Sequence, residues 1–411
     1  MEIINLFGVA GLIILVGFIG EWIFEKTNIP DALFLLLLGI ILGQFAGSEN
    51  IELLYKFGPI FTTFALIFIL FEGVLSTDIK KLAGGIAEGT SLAFLNLLLS
   101  FFVVSITMTI AGWPFWESLM LGAILADSAQ AVIIPLMKKI KIGSQALIAL
   151  TFESAISDVF TIVGTLTIIN IILMKSFSLS SVLQTVIYSF VFAIIAGAVA
   201  AFIWVKVLPF LDRFSKSYMT TIAVVLLLYA GVESLKANGA LACLTFGLIV
   251  GNSSKIYHLI KKESDYHMAS SAKFFYSEIS FFLKTFFFVY LGLIIDLKET
   301  KLMLLGALLA SLLFFARPIA VFLSHRNAKV EPKDIVDMQI LNPKGLSAAV
   351  LAQVPMQYGL GKGFPTVVLS AIVTSILLMI LFVFLSEKGI YKGILVPKHL
   401  IGGKQGSAKH L

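Results

Sequence analysis

The sequence predicts an all-α membrane protein of about 13 transmembrane helices, and three observations predict it. Of its 411 residues, 59% are hydrophobic and only 13% charged, with a mean hydropathy of +1.00, whereas soluble domains are nearer half apolar and a quarter charged. Apolar runs of about 20 residues, the length that spans a bilayer core, recur from the N-terminus to Leu385. The polar breaks between them are short and leave no stretch for a sizeable soluble domain. A soluble enzyme is excluded on composition.

With Pro, Gly and charge clusters as breaks, the spans fall at about 3–20, 30–46, 57–75, 87–111, 115–137, 145–173, 182–207, 218–235, 239–251, 274–296, 302–324, 335–358 and 364–386. The ninth is short, and the sixth and tenth are long enough to tilt or to project past the bilayer. The first span follows neither a basic segment nor a small-residue cleavage site, so it is expected to be retained. The tail after Glu387 is short and rich in Gly and Lys.

An odd number of spans puts the termini on opposite sides. Sorting the connections by side places about 21 Lys and Arg on one side and about six on the other. Lys284, Arg317 and Lys344 fall inside spans. The positive-inside rule then predicts a multi-pass cell-membrane protein with its N-terminus outside and its C-terminus cytoplasmic. The basic residues form no single patch, so no nucleic-acid partner is expected; membrane lipids are. Cys243 stands alone in an apolar run and reads as packing, and the five histidines have no metal-ligand spacing.

Charges within a span are costly and persist mostly where they are paired or face water. Those furthest from span ends are Asp127, Glu153, Asp158, Arg317 and Lys344, with Glu72 and Lys284 as weaker cases. The fifth span, GAILADSAQAVIIPLMKK, is interrupted by Asp127, Ser128 and Gln130 before Pro135. Seven spans later, DMQILNPKGLSAAVLAQVP is interrupted by Asn342, Pro343, Lys344 and Gly345. Broken helices at matching places in two halves point to an inverted-repeat transporter with a midplane site, and an odd offset inverts the second repeat. Opposed half-helix dipoles at the breaks call for charges such as Asp127 and Lys344. Pro135 alone reads as a simple kink, Glu72 as a span-end residue and Lys284 as a snorkelling lysine.

In the sixth span, TFESAISDVF, Glu153 and Ser157 share a face, and Asp158 is rotated about 100° further round. One of the two acids needs a permanent partner, for which Arg317 in FFARPIAVFLS is the best candidate. The other is left to titrate.

These residues carry a resemblance to a known family. FEGVLSTDIKKL resembles the LLFEGGL-type stretch of the cation/proton antiporter superfamily. GAILADSAQAVIIPLMKK is similar to its Thr-Asp crossing helix, and FESAISDVF to its Glu-Ser-x-x-Asn-Asp helix. GALACLTFGLIVGN, FFFVYLGLIIDL, ARPIAVF and NPKGLSAAVLA resemble its later segments in the usual order. The nearest branch is that of the prokaryotic sodium/proton (NhaP-like) exchangers.

The resemblance implies a homodimer and an elevator-type core of two inverted six-helix repeats. It implies a core mainly at 87–173 and 302–386, a dimerisation domain mainly at 1–75 and 218–296, and a linker helix at 182–207. By the same resemblance, Asp158 takes the place of the cation- and proton-binding aspartate. Glu153 and Arg317 take that of a buried structural ion pair, and Asp127 with Ser128 that of the crossing-helix ligands. Three departures stand out: Ser157 replaces the Asn before the key Asp, Asp127 precedes a hydroxyl rather than following one, and Lys344 stands where Arg is usual.

The expected function is electroneutral monovalent cation/proton antiport, with Na+ or Li+ and H+ as the transported ions competing for Asp158, and no cofactor. Ser157, Asp127 and Ser128 would complete an oxygen shell around a cation at Asp158. K+/H+ exchange is the first alternative, and a proton-coupled solute symporter or a channel the second.

Overall fold

A computed structural model describes residues 3–27, 31–45, most of 60–75, 86–129, isolated positions from 133 to 140, 142–174, 179–211, 214, 217–253, 270–294, 298–326 and 330–396. Its regular structure is helical: α1 (Ile3–Thr27), α2 (Asp31–Phe45), α3 (Ile86–Ile110), α4 (Phe115–Ile124), α5 (Ser144–Met174), α6 (Leu179–Leu211), α7 (Ser217–Ser234), α8 (Gly239–Gly251), α9 (Ser270–Ile294), α10 (Thr300–Ser324), α11 (Pro332–Ile340), α12 (Leu346–Leu351) and α13 (Phe364–Glu387). Helical residues also occur between 60 and 75.

Six of these helices are long and apolar enough to cross a membrane: α1, α3, α6, α9, α10 and α13. Large apolar side chains stand outward along them, including Ile110, Ile203, Leu304 and Phe384, as contact with hydrocarbon favours. The helix bounds follow the sequence reading to within a few residues, with three exceptions: α1 runs seven residues beyond the expected span, α4 stops at Ile124 inside the span expected at 115–137, and the span expected at 335–358 is divided into α11 and α12. The extension of α1 ends at Thr27 and carries Lys26, whose Nζ lies 3.9 Å from the Trp22 ring centroid.

The chain divides into two compact units. The first comprises Met1–Gly47, Lys81–Ile169 and Val289–Leu411. Within it, α10 packs on α3 and α13, α4 on α3, and α11 and α12 on α13. Its core includes Leu92, Met137, Leu150, Val321, Met338, Leu341 and Met379. Two helices meet backbone to backbone at Gly39 of α2 and Gly292 of α9, where a Cβ on Gly39 would lie 2.8 Å from Gly292 Cα. Small residues allow such approach where lipid offers no hydrophobic drive for helix association.

The second unit comprises Ser48–Lys80 and Asn170–Phe288. Here α6 and α7 pack on α8, and Phe71 meets Phe246 at 6.0 Å and Tyr276 edge-on at 5.5 Å. The short α8 is capped locally. Asn238 accepts from Leu241 N at 2.9 Å, and Glu233 Oε1 accepts from Gly239 N at 2.9 Å. Glu72 accepts a hydrogen bond from Ser280 Oγ at 3.2 Å, and Lys284 Nζ lies 6.0 Å from the Phe281 ring centroid.

Candidate ion site

The site is built on two helices that stop inside the first unit. Helix α4 closes with a tightened turn, Leu125 N donating to Leu121 O and Ala126 N to Ala123 O, and residues 127–129 leave helical geometry. Helix α11 begins on Pro332, where a missing N–H costs nothing, and ends at Ile340. Pro343, which has no N–H to continue a helix, lies in the irregular stretch before α12. Gln130 and Pro135, also expected at the first break, lie outside the described residues.

The two irregular stretches cross. Ala129 N donates to Pro343 O at 3.0 Å. Gly345 is required there by space: a Cβ on it would lie 3.0 Å from Ala129 Cα. Its own backbone is extended, φ −134°, so conformation does not demand glycine.

At the crossing, each charged residue serves the other's segment. The fully buried Lys344 Nζ donates to the Asp127 carbonyl at 2.7 Å and to Asn342 Oδ1 at 3.3 Å, so a cation sits beyond the C-terminal ends of α4 and α11. Asp127 Oδ2 accepts from Gly345 N at 3.1 Å and from Ala348 N at 3.4 Å, so an anion sits at the start of α12. Both signs match the local dipoles. Lys344 N in turn donates to Ser375 Oγ of α13 at 2.9 Å.

Two oxygens at this crossing have no hydrogen-bond partner although they are buried: Asp127 Oδ1 and Ser128 Oγ. Buried polar atoms are nearly always partnered, and exceptions call for an explanation. A carboxylate oxygen beside a hydroxyl has the chemistry to hold a hard cation.

The second group of charges lies on α5 and α10. Arg317 Nη2 donates to Glu153 Oε2 at 2.7 Å, Nη1 pairs with Oε1, and Nε donates to Met338 O at 3.1 Å. Both side chains are wholly buried. The bidentate fork and the third bond satisfy a guanidinium that could not otherwise remain in a low-dielectric interior. Met338 O is near the end of α11, where a broken helix frees its carbonyls.

Ser157 is buried one turn beyond Glu153 and donates to Ser154 O at 3.0 Å. Asp158 follows it in α5, and its side chain lies outside the described residues. The structure thus brings Asp127, Ser128 and Lys344 together, pairs Glu153 with Arg317, and puts Ser157 on the helix of that pair. Sequence reasoning missed Ser375, the Met338 carbonyl and Asp334, whose Oδ1 accepts from Gly143 N at 2.9 Å just before α5. A buried serine inside the apolar α13 was the available signal for Ser375.

Known proteins are similar to the chain in sequence and in fold. The chain is 29% identical over 374 residues to Na(+)/H(+) antiporter 1 of Methanocaldococcus jannaschii, covering 86% of this chain and 83% of that protein. It is 25% identical over 377 residues to the K(+)/H(+) antiporter NhaP of Alkalimonas amylolytica, covering 87% of this chain and 62% of that one. Its fold is similar to that of the sodium proton antiporter MjNhaP1 from Methanocaldococcus jannaschii at pH 8, with a TM-score of 0.73 and 26% identity over 95% of this chain and 98% of that chain. Residues 11–388, which include both breaks and the buried ion pair, match the family described as sodium/hydrogen exchanger, transmembrane, and the chain belongs to that family.

Proposed function

We propose that this protein exchanges Na+ or Li+ for H+, with cation and proton competing for the Asp158 carboxylate. The observation that carries the reading is the pair of unpartnered buried oxygens, Asp127 Oδ1 and Ser128 Oγ, at the crossing of two broken helices. Ser157 is the further hydroxyl of the shell. A bare carboxylate is costly to move through a low-dielectric barrier, so the core crosses only when one ion or the other neutralises Asp158. Competition for one site is enough to couple the two fluxes.

In this reading Glu153 and Arg317 are structural, and Lys344 compensates the crossing. Thirteen spans in two inverted six-helix repeats form a core mainly at 87–173 and 302–386, which moves as an elevator. That core moves against a dimerisation domain mainly at 1–75 and 218–296, through a linker helix at 182–207. The unit is a homodimer in the cell membrane, N-terminus outside and C-terminus cytoplasmic.

K+/H+ exchange is the second reading, favoured by relatives that are K(+)/H(+) antiporters. Reconstituted vesicles with an imposed pH gradient decide between them. Na+ and Li+ are expected to dissipate the gradient at lower concentration than K+; the reverse order makes the protein a K+/H+ exchanger, and no response to any of the three discards cation/proton exchange.

A further inference from the structure

After α13 the chain turns back on itself. Gly389 adopts φ +71°, and the amides of Ile390 and Tyr391 both donate to Leu385 O, at 2.9 and 3.1 Å. The Tyr391 ring then meets Phe382 edge-on at 4.9 Å. Gly393, at φ +78°, passes against α11, where a Cβ would lie 2.8 Å from Val336 Cγ2.

The contact is completed by Gln339 of α11. Its amide Nε2 donates to Ile394 O at 2.5 Å, and its Oε1 accepts from Ile394 N at 2.9 Å. One side-chain amide thereby pairs with both backbone groups of a single residue, as a neighbouring strand would. Gln339 is 1% exposed, and a buried amide left without these bonds would be costly. The segment is therefore fastened to α11 rather than resting on it.

Helix α11 also carries what the buried cations need. Met338, next to Gln339, gives its carbonyl to Arg317 Nε. Asn342, three residues after Gln339, gives Oδ1 to Lys344 Nζ. Any shift of the end of α11 moves both acceptors at once, and with them the seats of Arg317 on Glu153 and of Lys344 on Asp127.

We infer that residues 389–396 form a latch that holds α11 through Gln339, and that Gln339 is a positioning residue setting the apparent cation affinity of exchange. The inference rests on the cation/proton exchange proposed above. Gln339 touches no transported ion; it acts through Met338 O and Asn342.

The test is exchange kinetics of the full-length protein in vesicles, measured as cation-induced dissipation of a pH gradient. Gln339→Leu is expected to raise the half-saturating cation concentration on the order of fivefold, the scale of about one net neutral hydrogen bond, with the maximal rate within about twofold of the parent. Gly393→Ala, which disturbs the latch from its other side, should do the same, and the double variant should be no worse than either single one. Gln339→Glu supplies a pH signature. A protonated carboxyl can still donate to Ile394 O and accept from Ile394 N, so affinity should match the parent at acid pH and weaken once the carboxyl ionises.

Parental affinity in all three variants at every pH overturns the latch. Lowered thermal stability with unchanged affinity overturns it too, leaving a merely structural contact. Failure of the parent itself to respond to any cation counts instead against cation/proton exchange.

Discussion

At the scale of single residues, the charges that the structure holds in place stand apart from Asp158, the charge proposed to change. Glu153 and Arg317 are held: a bidentate pair with a third bond to Met338 O leaves neither free. Truncating either partner strands the other, and Glu153→Ala or Arg317→Ala should lower stability by about 3–5 kcal/mol, seen as a large drop in melting temperature in detergent. Two single variants as stable as the parent would show that the pair contributes nothing. Asp158→Asn should fold normally and abolish exchange, because the amide keeps the shape but cannot take up and release a proton; gel filtration and vesicle assays together check this. The pairing of Glu153 with Arg317 was legible in the sequence, since a buried guanidinium needs an acid and few lie deep in spans. The bond from Arg317 to Met338 O was not, because a backbone carbonyl has no signature in sequence. It becomes available only where α11 happens to end.

At the scale of elements, the breaks were the most legible feature of the chain. Asp127 and Ser128 in one apolar run, and Asn342, Pro343, Lys344 and Gly345 in another, cannot continue a lipid-facing helix, and the structure ends α4 and α11 there. The short α8 was legible for a similar reason, bounded by Asn238 and Asn252. Illegible were contacts across long separations, such as Asp334 meeting Gly143 N and Gln339 grasping Ile394. Each depends on where two elements meet, and the polar residue looks like any other until they do. The approach of α2 to α9 belongs to this class. Gly39→Leu or Gly292→Leu should force those backbones apart and cost about 1–3 kcal/mol, the usual penalty for overpacking, whereas Gly8→Leu, with open space around it, should be neutral. Melting curves of the three variants make the comparison.

At the scale of the whole molecule, the stoichiometry follows from which charges are free. Ser157, before Asp158, holds no second charge at physiological pH. Glu153 is committed to Arg317, and one oxygen of Asp127 is engaged by Gly345 N and Ala348 N. One proton should therefore exchange for one monovalent cation. In vesicles with fixed ion gradients, an imposed membrane potential should leave the reversal point where it was; a reversal point that moves with voltage means more than one proton per cation, with Asp127 the first residue to examine. Composition made the membrane class plain, and the ordered motifs made the family plain. The expected one-for-one stoichiometry was already suggested in the sequence by the neutral Ser157 before Asp158, and the structure adds the geometry of the Glu153 and Asp127 pairings on which it depends.

The bond from Ala129 N to Pro343 O keys two distant stretches of sequence into a single register, and this makes the crossing far less tolerant of changed length than of changed side chains. A residue inserted between Leu341 and Gly345 would shift Lys344 off the Asp127 carbonyl and Gly345 off Ala129 in the same stroke. Two buried charges would lose their compensation together, with no partial loss in between. One glycine added after Asn342 should therefore abolish accumulation of folded protein in the membrane. The same glycine added in the turn at Gly359 to Gly363, where positive φ values mark a tight reversal with open space at Gly359, should be accepted, and the amount of monodisperse protein recovered in detergent distinguishes the two. Among relatives that keep this joint, the spacing around it should stay constant while the residues themselves vary.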